Sequence, residues 1–538
     1  MTTPEQAQRS GRIPSDVPET TGTSEGNSET AWRGWWQWDV LLSIGIAFVA
    51  ALLVPLDDTD LPMHLRTGAW ILEHQMLPLQ EPFAWTRAGA PFYAYSWLPE
   101  VLYALGWRAG GADGLTLVHA VLVALTVGAT WDLARVARWS PWSTRLIVSI
   151  HLILWILVQP ATRPQLVLAA VIPLSWAAAI QLRERRDGSA VVGALVRAVV
   201  AAVVAVNSHL FFALTLVPGV VLLAARPLPW RAILQFAAAT AVGWMCTPYV
   251  AHLPAVLQLN LGGNPLIGPA SPIMELEGGF SMLTHAALGT RILLGVLLLL
   301  PFLPTTATLS QRERWWYGMA WLAGLGLFGL AVRGLLLWWL LALPLVAQAF
   351  AGVPLPQQRL TRRLVVAAWV LSIVGIVGQT LTARQRMPRV DALPHSESVA
   401  LAPAVRWLDC LVGDRPSNSP LRGTTIFNYG SFLTWRLPQV SWSMDGRSIF
   451  PDSVAVAEVR QELRNGPPVE PPWRSGDLAI LPPGHASLAR IAGDSGWTRV
   501  PLTRVDTVPA AELWVRTPLR SKASRCAAAP STLSALRN

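Results

Sequence analysis

Asp57-Asp58-Thr59-Asp60-Leu61-Pro62-Met63-His64-Leu65-Arg66 follows directly on the first long apolar run of the chain. Three carboxylates, an imidazole and a guanidinium therefore gather where a membrane span should emerge into water. Ionised groups are expensive inside hydrocarbon and cheap at its edge. Carboxylates held at that depth can accept a proton or coordinate a cation while a lipid-borne substrate stays in the bilayer. The plainer alternative is a hydrophilic stop that merely ends the span.

Other polar residues stand at the ends of apolar runs: Arg163, Asn207, His209, Tyr249, Glu275 and Arg333. Each has a structural alternative. Arg163 and Arg333 can snorkel to headgroups, Asn207 and His209 can pair helices, and Glu275 can sit on a solvated loop. Their common destination favours chemistry, because the topology below brings all of them to one face, as a site between helices requires.

The elements that must position them are membrane helices. The 538 residues are 52% hydrophobic and 14% charged, where a soluble chain carries about a quarter charged. A first span is expected at Trp38–Leu56. Ten more follow: Leu115–Ala134, Leu146–Val158, Gln165–Gln181, Ala190–Val206, Leu210–Ala225, Ala232–Tyr249, Ala287–Leu303, Tyr317–Val332, Leu335–Phe350 and Leu364–Thr380. The apolar stretch Trp97–Trp107 is too short to cross. Laid flat in the interface, it leaves Arg135, Arg138, Arg145, Arg183, Arg185, Arg226, Arg312 and Arg359 on the side of the N-terminus, as the positive-inside rule demands. Asp132 should pair with Arg135, and Arg197 should snorkel.

The fold class expected is thus an all-α polytopic domain of about eleven spans with a small α/β domain after it. Residues 1–30 read as a disordered cytoplasmic tail, 31–381 as the membrane domain with its first outer loop at 57–113, 382–520 as the extracytoplasmic domain, and 521–538 as a disordered tail. In the α/β part, strands are expected at Thr424–Asn428, Val440–Met444, Leu478–Leu481, Trp497–Leu502 and Glu512–Arg516, with helices at Ser431–Leu437 and Ala486–Ala492. Asp445-Gly446-Arg447 reads as a turn with Gly446 at positive φ beside an Asp–Arg pair.

Several functions are excluded. Lys522 is the only lysine, so no phosphate loop ending in Gly-Lys-Ser/Thr and no buried Schiff-base lysine exists. The net charge of +10 belongs to inter-span loops rather than to a nucleic-acid surface. Cys246, Cys410 and Cys526 lack zinc spacing. Cys410 and Cys526 can pair if that region is exported, or remain thiols.

One N-terminal span, a long loop opening with paired acids, flat helices in that loop, many further spans and an outer C-terminal domain resemble the GT-C superfamily of integral-membrane glycosyltransferases. The matching pieces are Asp58–Gly68, Glu81-Pro82-Phe83, Ser96-Trp97-Leu98-Pro99-Glu100, Arg163-Pro164-Gln165-Leu166, Asn207-Ser208-His209, Thr247-Pro248-Tyr249, Phe427-Asn428-Tyr429-Gly430 and Asp445-Gly446-Arg447. The resemblance implies an inverting transfer of a sugar from a polyprenyl-phosphate carrier to an extracytoplasmic acceptor at the plasma membrane, with membrane lipids as further partners and no nucleic acid. It implies Asp58 as general base with Asp60 second. His64, Arg66, Arg163, Asn207, His209, Tyr249, Glu275 and Arg333 would bind substrate, with Arg163 and Arg333 on the carrier phosphate. No cofactor is certain; a divalent cation on Asp57 and Asp60 is compatible with it. A lipid-linked-sugar flippase and a non-catalytic scaffold are the alternative classes.

Overall fold

The computed structural model describes residues 25–54, 56, 58–158, 162–184, 188–225, 230–261, 309–330, 334–351, 396–413, 420–447, 472–502 and 510–519, with isolated positions between 280 and 299 and between 363 and 378. Asp57, Glu275 and Arg333 lie outside the described residues, as do most of the spans expected at Ala287–Leu303 and Leu364–Thr380.

A membrane bundle comes first. It comprises α1 (Glu25–Leu53), α2 (Leu61–His74), α3 (Trp97–Val136), α4 (Pro141–Val158), α5 (Leu166–Glu184), α6 (Gly188–Val206), α7 (Val217–Ala225), α8 (Trp230–Met245), α9 (Leu253–Leu261), α10 (Gln311–Leu330) and α11 (Gly334–Ala351). Among the described residues, α3, α5 and α6 are each long and apolar enough to cross a membrane. The α8–α9 pair makes a fourth candidate, bent by 103°. Apolar helices at Gln37–Leu53, Ser143–Trp155, Leu210–Leu222 and Gly334–Ala349 are shorter. A 13-residue helix is about 20 Å long, less than the roughly 30 Å of hydrocarbon.

Packing follows membrane rules. On α6, Ala194, Ala198, Ala201, Ala202 and Ala205 are buried, whereas Val192, Val196 and Val200 form an exposed stripe at helical spacing. Small residues face neighbours and larger apolar ones face outward, because apolar surface gains nothing by leaving lipid and close backbone approach gains dispersion. At the end of the bundle away from Asp58, Arg145 Nε donates to Asp39 Oδ2 at 2.9 Å. Asp132 takes both its expected partner Arg135 (2.7 Å) and Arg197 (3.0 Å). Arg197 is thus paired rather than snorkelling.

The helix expected at Trp97–Trp107 forms the first part of α3. Gly110 and Gly111 break it, Gly111 with φ +57°. A Cβ on Gly106 would lie 2.7 Å from the Val118 side chain. In a straight helix these two residues would be about 18 Å apart along the axis, so the chain doubles back here.

The C-terminal region is a five-stranded sheet in the order β2-β1-β3-β5-β4, formed by β1 (Leu421–Thr424), β2 (Val440–Trp442), β3 (Leu478–Leu481), β4 (Trp497–Val500) and β5 (Glu512–Arg516). Strands β2 and β3 run parallel to β1, whereas β5 is antiparallel to β3 and β4. Helix α12 (Ser396–Val412), which the sequence pattern did not mark, packs on α13 (Phe427–Arg436); α14 (Leu488–Ala492) follows β3. The first strand ends at Thr424, and Phe427 and Asn428 begin α13 instead. Central strand β3 is buried along its whole length, as expected for a strand covered on both faces. Cys410 is disulfide-bonded, whereas Cys246 is a free thiol.

The bundle and the sheet are joined through the loop between α2 and α3. Ala84 forms a parallel bridge with Trp442 on edge strand β2. Trp85 Nε1 donates to the Gly423 carbonyl at 2.9 Å, Ser441 Oγ donates to the Phe83 carbonyl at 2.7 Å, and Thr86 donates to the Ser443 carbonyl. An edge whose backbone groups would otherwise lack partners is thereby covered.

Candidate functional site

Asp58, Thr59 and Asp60 form a turn leading into α2, in which the Asp60 N–H donates to Asp58 Oδ1 at 2.9 Å. This Asx-type geometry fixes the two carboxylates relative to each other. Asp60 is the N-cap of α2, yet its side chain makes no capping bond. It reaches Arg163 Nη1 at 3.1 Å instead. Arg163, just before α5, grips Asp58 bidentately, Nε to Oδ2 at 2.6 Å and Nη2 to Oδ1 at 2.8 Å. Such fork-on-fork pairs are the strong ones. The Asp58 side chain is 0% exposed and that of Asp60 is 27% exposed. One acid is thus sealed and the other faces open space. Burial lifts the Asp58 carboxyl above its ordinary range against the pull of Arg163, with the charge of Asp60 adding to the rise.

One turn along α2, His64 Nδ1 meets Glu100 Oε1 at 3.0 Å, and Ser96 Oγ donates to the same oxygen at 2.8 Å. The contact depends on Gly68. A Cβ there would sit 2.0 Å from the Glu100 carbonyl oxygen, so only glycine lets α2 lie against the start of α3. Burial alone would lower the His64 pKa; the bond to Glu100 and the surrounding carboxylates raise it above 6.5. Half-buried Tyr95 feels Glu100, Asp60 and Arg447, and burial with the two carboxylates keeps its phenol protonated. Glu100 and Tyr95 were missed as site residues. Glu100 sat inside a quoted motif, but nothing in its spacing pointed to His64.

The remaining residues divide differently from expectation. Asn207 is a knot: Oδ1 accepts from Trp97 Nε1 at 2.8 Å, while Nδ2 donates to the Val203 and Cys246 carbonyls at 2.8 and 3.0 Å. It ties α6, α8 and the start of α3 together. Tyr249 donates its hydroxyl to the Pro78 carbonyl at 2.8 Å and accepts from the Ala94 N–H at 3.1 Å, anchoring the α8–α9 bend to the first loop. His209 Nδ1 accepts from the Phe211 N–H at 3.1 Å. Burial and the nearby charge of His64 bring it down to about 4, so it stays neutral. With Tyr95, Phe212 and Tyr249 it lines a narrow crevice. Arg66 turns aside, pairing with the half-exposed Glu73 at 3.3 Å.

A second cluster closes the site from the sheet domain. Arg447 grips Asp445 through Nε (2.7 Å) and Nη2 (2.6 Å), and Nη2 also meets Glu81 Oε1 at 2.8 Å. Its guanidinium lies over the rings of Phe83 and Phe92, 5.2 and 4.7 Å from their centroids. Glu81 Oε1 further accepts from the Phe83 and Ala84 N–H groups at 2.8 and 3.0 Å. The expected Asp–Arg pair is present, but Gly446 is not among the positive-φ glycines. Close approach explains it instead: a Cβ would lie 2.6 Å from Ser431 Oγ and 3.3 Å from Asp60 Oδ1. The turn is thus pressed against the acid pair.

Of the two residues named for a divalent cation, Asp57 lies outside the described residues. The described residues contain no group of three or more His, Cys, Asp or Glu that could hold one, and the Arg163 guanidinium occupies the place between Asp58 and Asp60.

No protein-family model matches the chain, and no curated protein matches it. Solved structures do. The chain superposes on ArnT from Cupriavidus metallidurans bound to undecaprenyl phosphate with a TM-score of 0.55 and 14% identity, over 89% of this chain and 98% of that one. It also superposes on the arabinofuranosyltransferase AftD from Mycobacteria, with a TM-score of 0.52 and 16% identity, over 90% of this chain and 41% of that one. The chain shares the fold of these two proteins. The match to ArnT runs over most of both chains, so the likeness is one of overall fold. Identity this low carries the fold and leaves residue roles to the geometry.

Proposed function

We propose that this GT-C-like chain is an inverting membrane glycosyltransferase that takes a sugar from a polyprenyl-phosphate carrier and gives it to an extracytoplasmic acceptor. The N-terminus and the arginine-rich loops would be cytoplasmic, with about eleven spans in all. The disulfide-bonded Cys410 supports placing the sheet domain on the oxidising side.

The observation that carries the reading is the inequality of the two carboxylates. A general base must come within hydrogen-bond reach of the acceptor hydroxyl. Both oxygens of sealed Asp58 are engaged by Arg163, whereas Asp60 keeps part of its surface open. We therefore assign the base to Asp60 and a positioning role to Asp58 and Arg163. As the acceptor oxygen attacks the anomeric carbon, its proton passes to Asp60. The bond from that carbon to the phosphate oxygen breaks on the opposite face, and the phosphate leaves with the electron pair. A cationic donor must meet that charge. His64, whose pKa burial would lower but Glu100 and the nearby carboxylates raise, is suited to it, with Arg333 as the second choice.

Lipid and glycan profiles of cells with and without the gene test the reading. Deletion should cause a polyprenyl-phosphate-linked sugar to accumulate and an exported glycan modification to disappear. Wild type should restore both and Asp60→Asn neither. Unchanged profiles on deletion, or full restoration by Asp60→Asn, would defeat it.

A further inference from the structure

The Asp445-Gly446-Arg447 turn is part of the sheet domain by sequence and part of the acid site by position. Arg447 is held by two carboxylates, one from its own turn and one 366 residues away in the first loop. Two aromatic rings close over it, and the Ala84–Trp442 bridge with three flanking hydrogen bonds locks the same seam. The Gly446 N–H donates to Ser431 Oγ at 2.9 Å, which fixes the turn from the α13 side as well. The outcome is that the one residue of the turn without a side chain is set against Asp60, the open member of the acid pair.

We propose that Gly446 is a specificity-determining residue: carried into the site by the docked sheet domain, it sets the clearance over Asp60 and thereby limits the bulk of the acceptor group that reaches it. This rests on the transferase reading for the word acceptor, but the clearance itself is a property of the fold. Each bond that holds Arg447 also holds Gly446 at that height. The sheet domain is therefore a fixed wall of the site. An acceptor must present its hydroxyl through a gap that a single methyl group narrows.

The test uses full-length protein in detergent with Cys246→Ser as background and Asp60→Cys as reporter, read by the rate of N-ethylmaleimide labelling. Gly446→Ala should slow labelling of the reporter thiol by about tenfold, the scale on which an added methyl in a packed site is felt. The methyl also crowds Ser431 Oγ, so Gly446→Ala can destabilise for a purely structural reason. Adding Ser431→Ala removes that clash and leaves the contact with position 60. The double variant should regain part of its melting temperature, the remainder being the lost acceptor of the Gly446 N–H, yet still label slowly. Labelling at the parental rate in Gly446→Ala, or recovery of rate and stability together in the double variant, overturns the proposal. A double variant that does not fold overturns it too, because packing alone would then demand glycine. Cells lacking any glycosyl transfer would refute the transferase reading without touching this result. Where transfer is found, Gly446→Ala in an otherwise native chain should raise KM for bulky acceptors more than for small ones and leave kcat nearly unchanged.

Discussion

Two clusters in this protein use the same three parts, an arginine and two carboxylates drawn from distant segments. In one, Arg447 joins Glu81 and Asp445, whose side chains are 0% and 1% exposed. In the other, Arg163 joins Asp58 and Asp60, and Asp60 remains 27% exposed. The first is roofed by Phe83 and Phe92; the second lies against the Gly446 turn, with Tyr95 near enough to feel the charge of Asp60. Ionic composition therefore does not separate a sealed fastening from the proposed reactive site. Desolvation of the last carboxylate does. A fully enclosed cluster costs several kcal/mol if one member is removed and offers no oxygen to a substrate.

The sharpest way to break this comparison is to exchange amide for acid in each cluster. Asp60→Asn should reduce transfer by about 10²- to 10⁴-fold while shifting unfolding by less than about 1 kcal/mol. Asp445→Asn should instead lower stability, with transfer per folded molecule largely kept. Equal behaviour in paired activity and melting measurements would erase the distinction. Next in size is Arg447→Met, which strands two buried acids and should cost about 3–5 kcal/mol. Limited proteolysis should then release the sheet domain from the bundle, whereas Arg163→Met should leave that seam intact. A smaller effect is expected at the seam itself. Trp85→Phe removes the bond to the Gly423 carbonyl and should cost about 0.5–1.5 kcal/mol by thermal unfolding.

The smallest effect concerns pH. The folded state holds the His64 proton more tightly than an ordinary imidazole of 6.5. Its contribution is complete below that value and fades as pH rises through the raised folded value. Melting temperature should therefore drift down across that range in wild type, and Glu100→Gln should flatten the drift. An unchanged slope would detach His64 from Glu100.

Much of this was legible in the chain. Charge placement alone located Asp58 and Asp60 beside the first helix, because a membrane span leaves few positions for ionised groups. Short β-prone runs located the five described strands to within a few residues, and the shortness of Trp97–Trp107 anticipated the break at Gly110–Gly111. Pairings across long separations were not legible. Nothing near Glu81 names Arg447, and nothing near His64 names Glu100, since period and composition describe one segment at a time. The same limit affects the polar residues at helix ends. Asn207 and Tyr249 stand where a ligand-binding residue would stand, but their bonds go to Trp97, Val203, Cys246, Pro78 and Ala94. Gly446 was legible as a residue under constraint, with the wrong constraint assigned: a turn glycine suggests backbone angle, and here the reason is contact with Ser431 and Asp60.

The bridge between Ala84 and Trp442 also has a consequence in time. With Glu81 and Arg447 separated by 366 residues, a ribosome adding about 5–20 residues per second needs roughly 20–70 s to supply the second half of that seam. Until then the early helices must thread and wait with Glu81 lacking its counter-charge. A nascent chain interrupted before residue 440 would own Asp58, Asp60 and Arg163 yet lack the covering turn. The covered arrangement of the acid pair can therefore form only after Arg447 has been added to the chain.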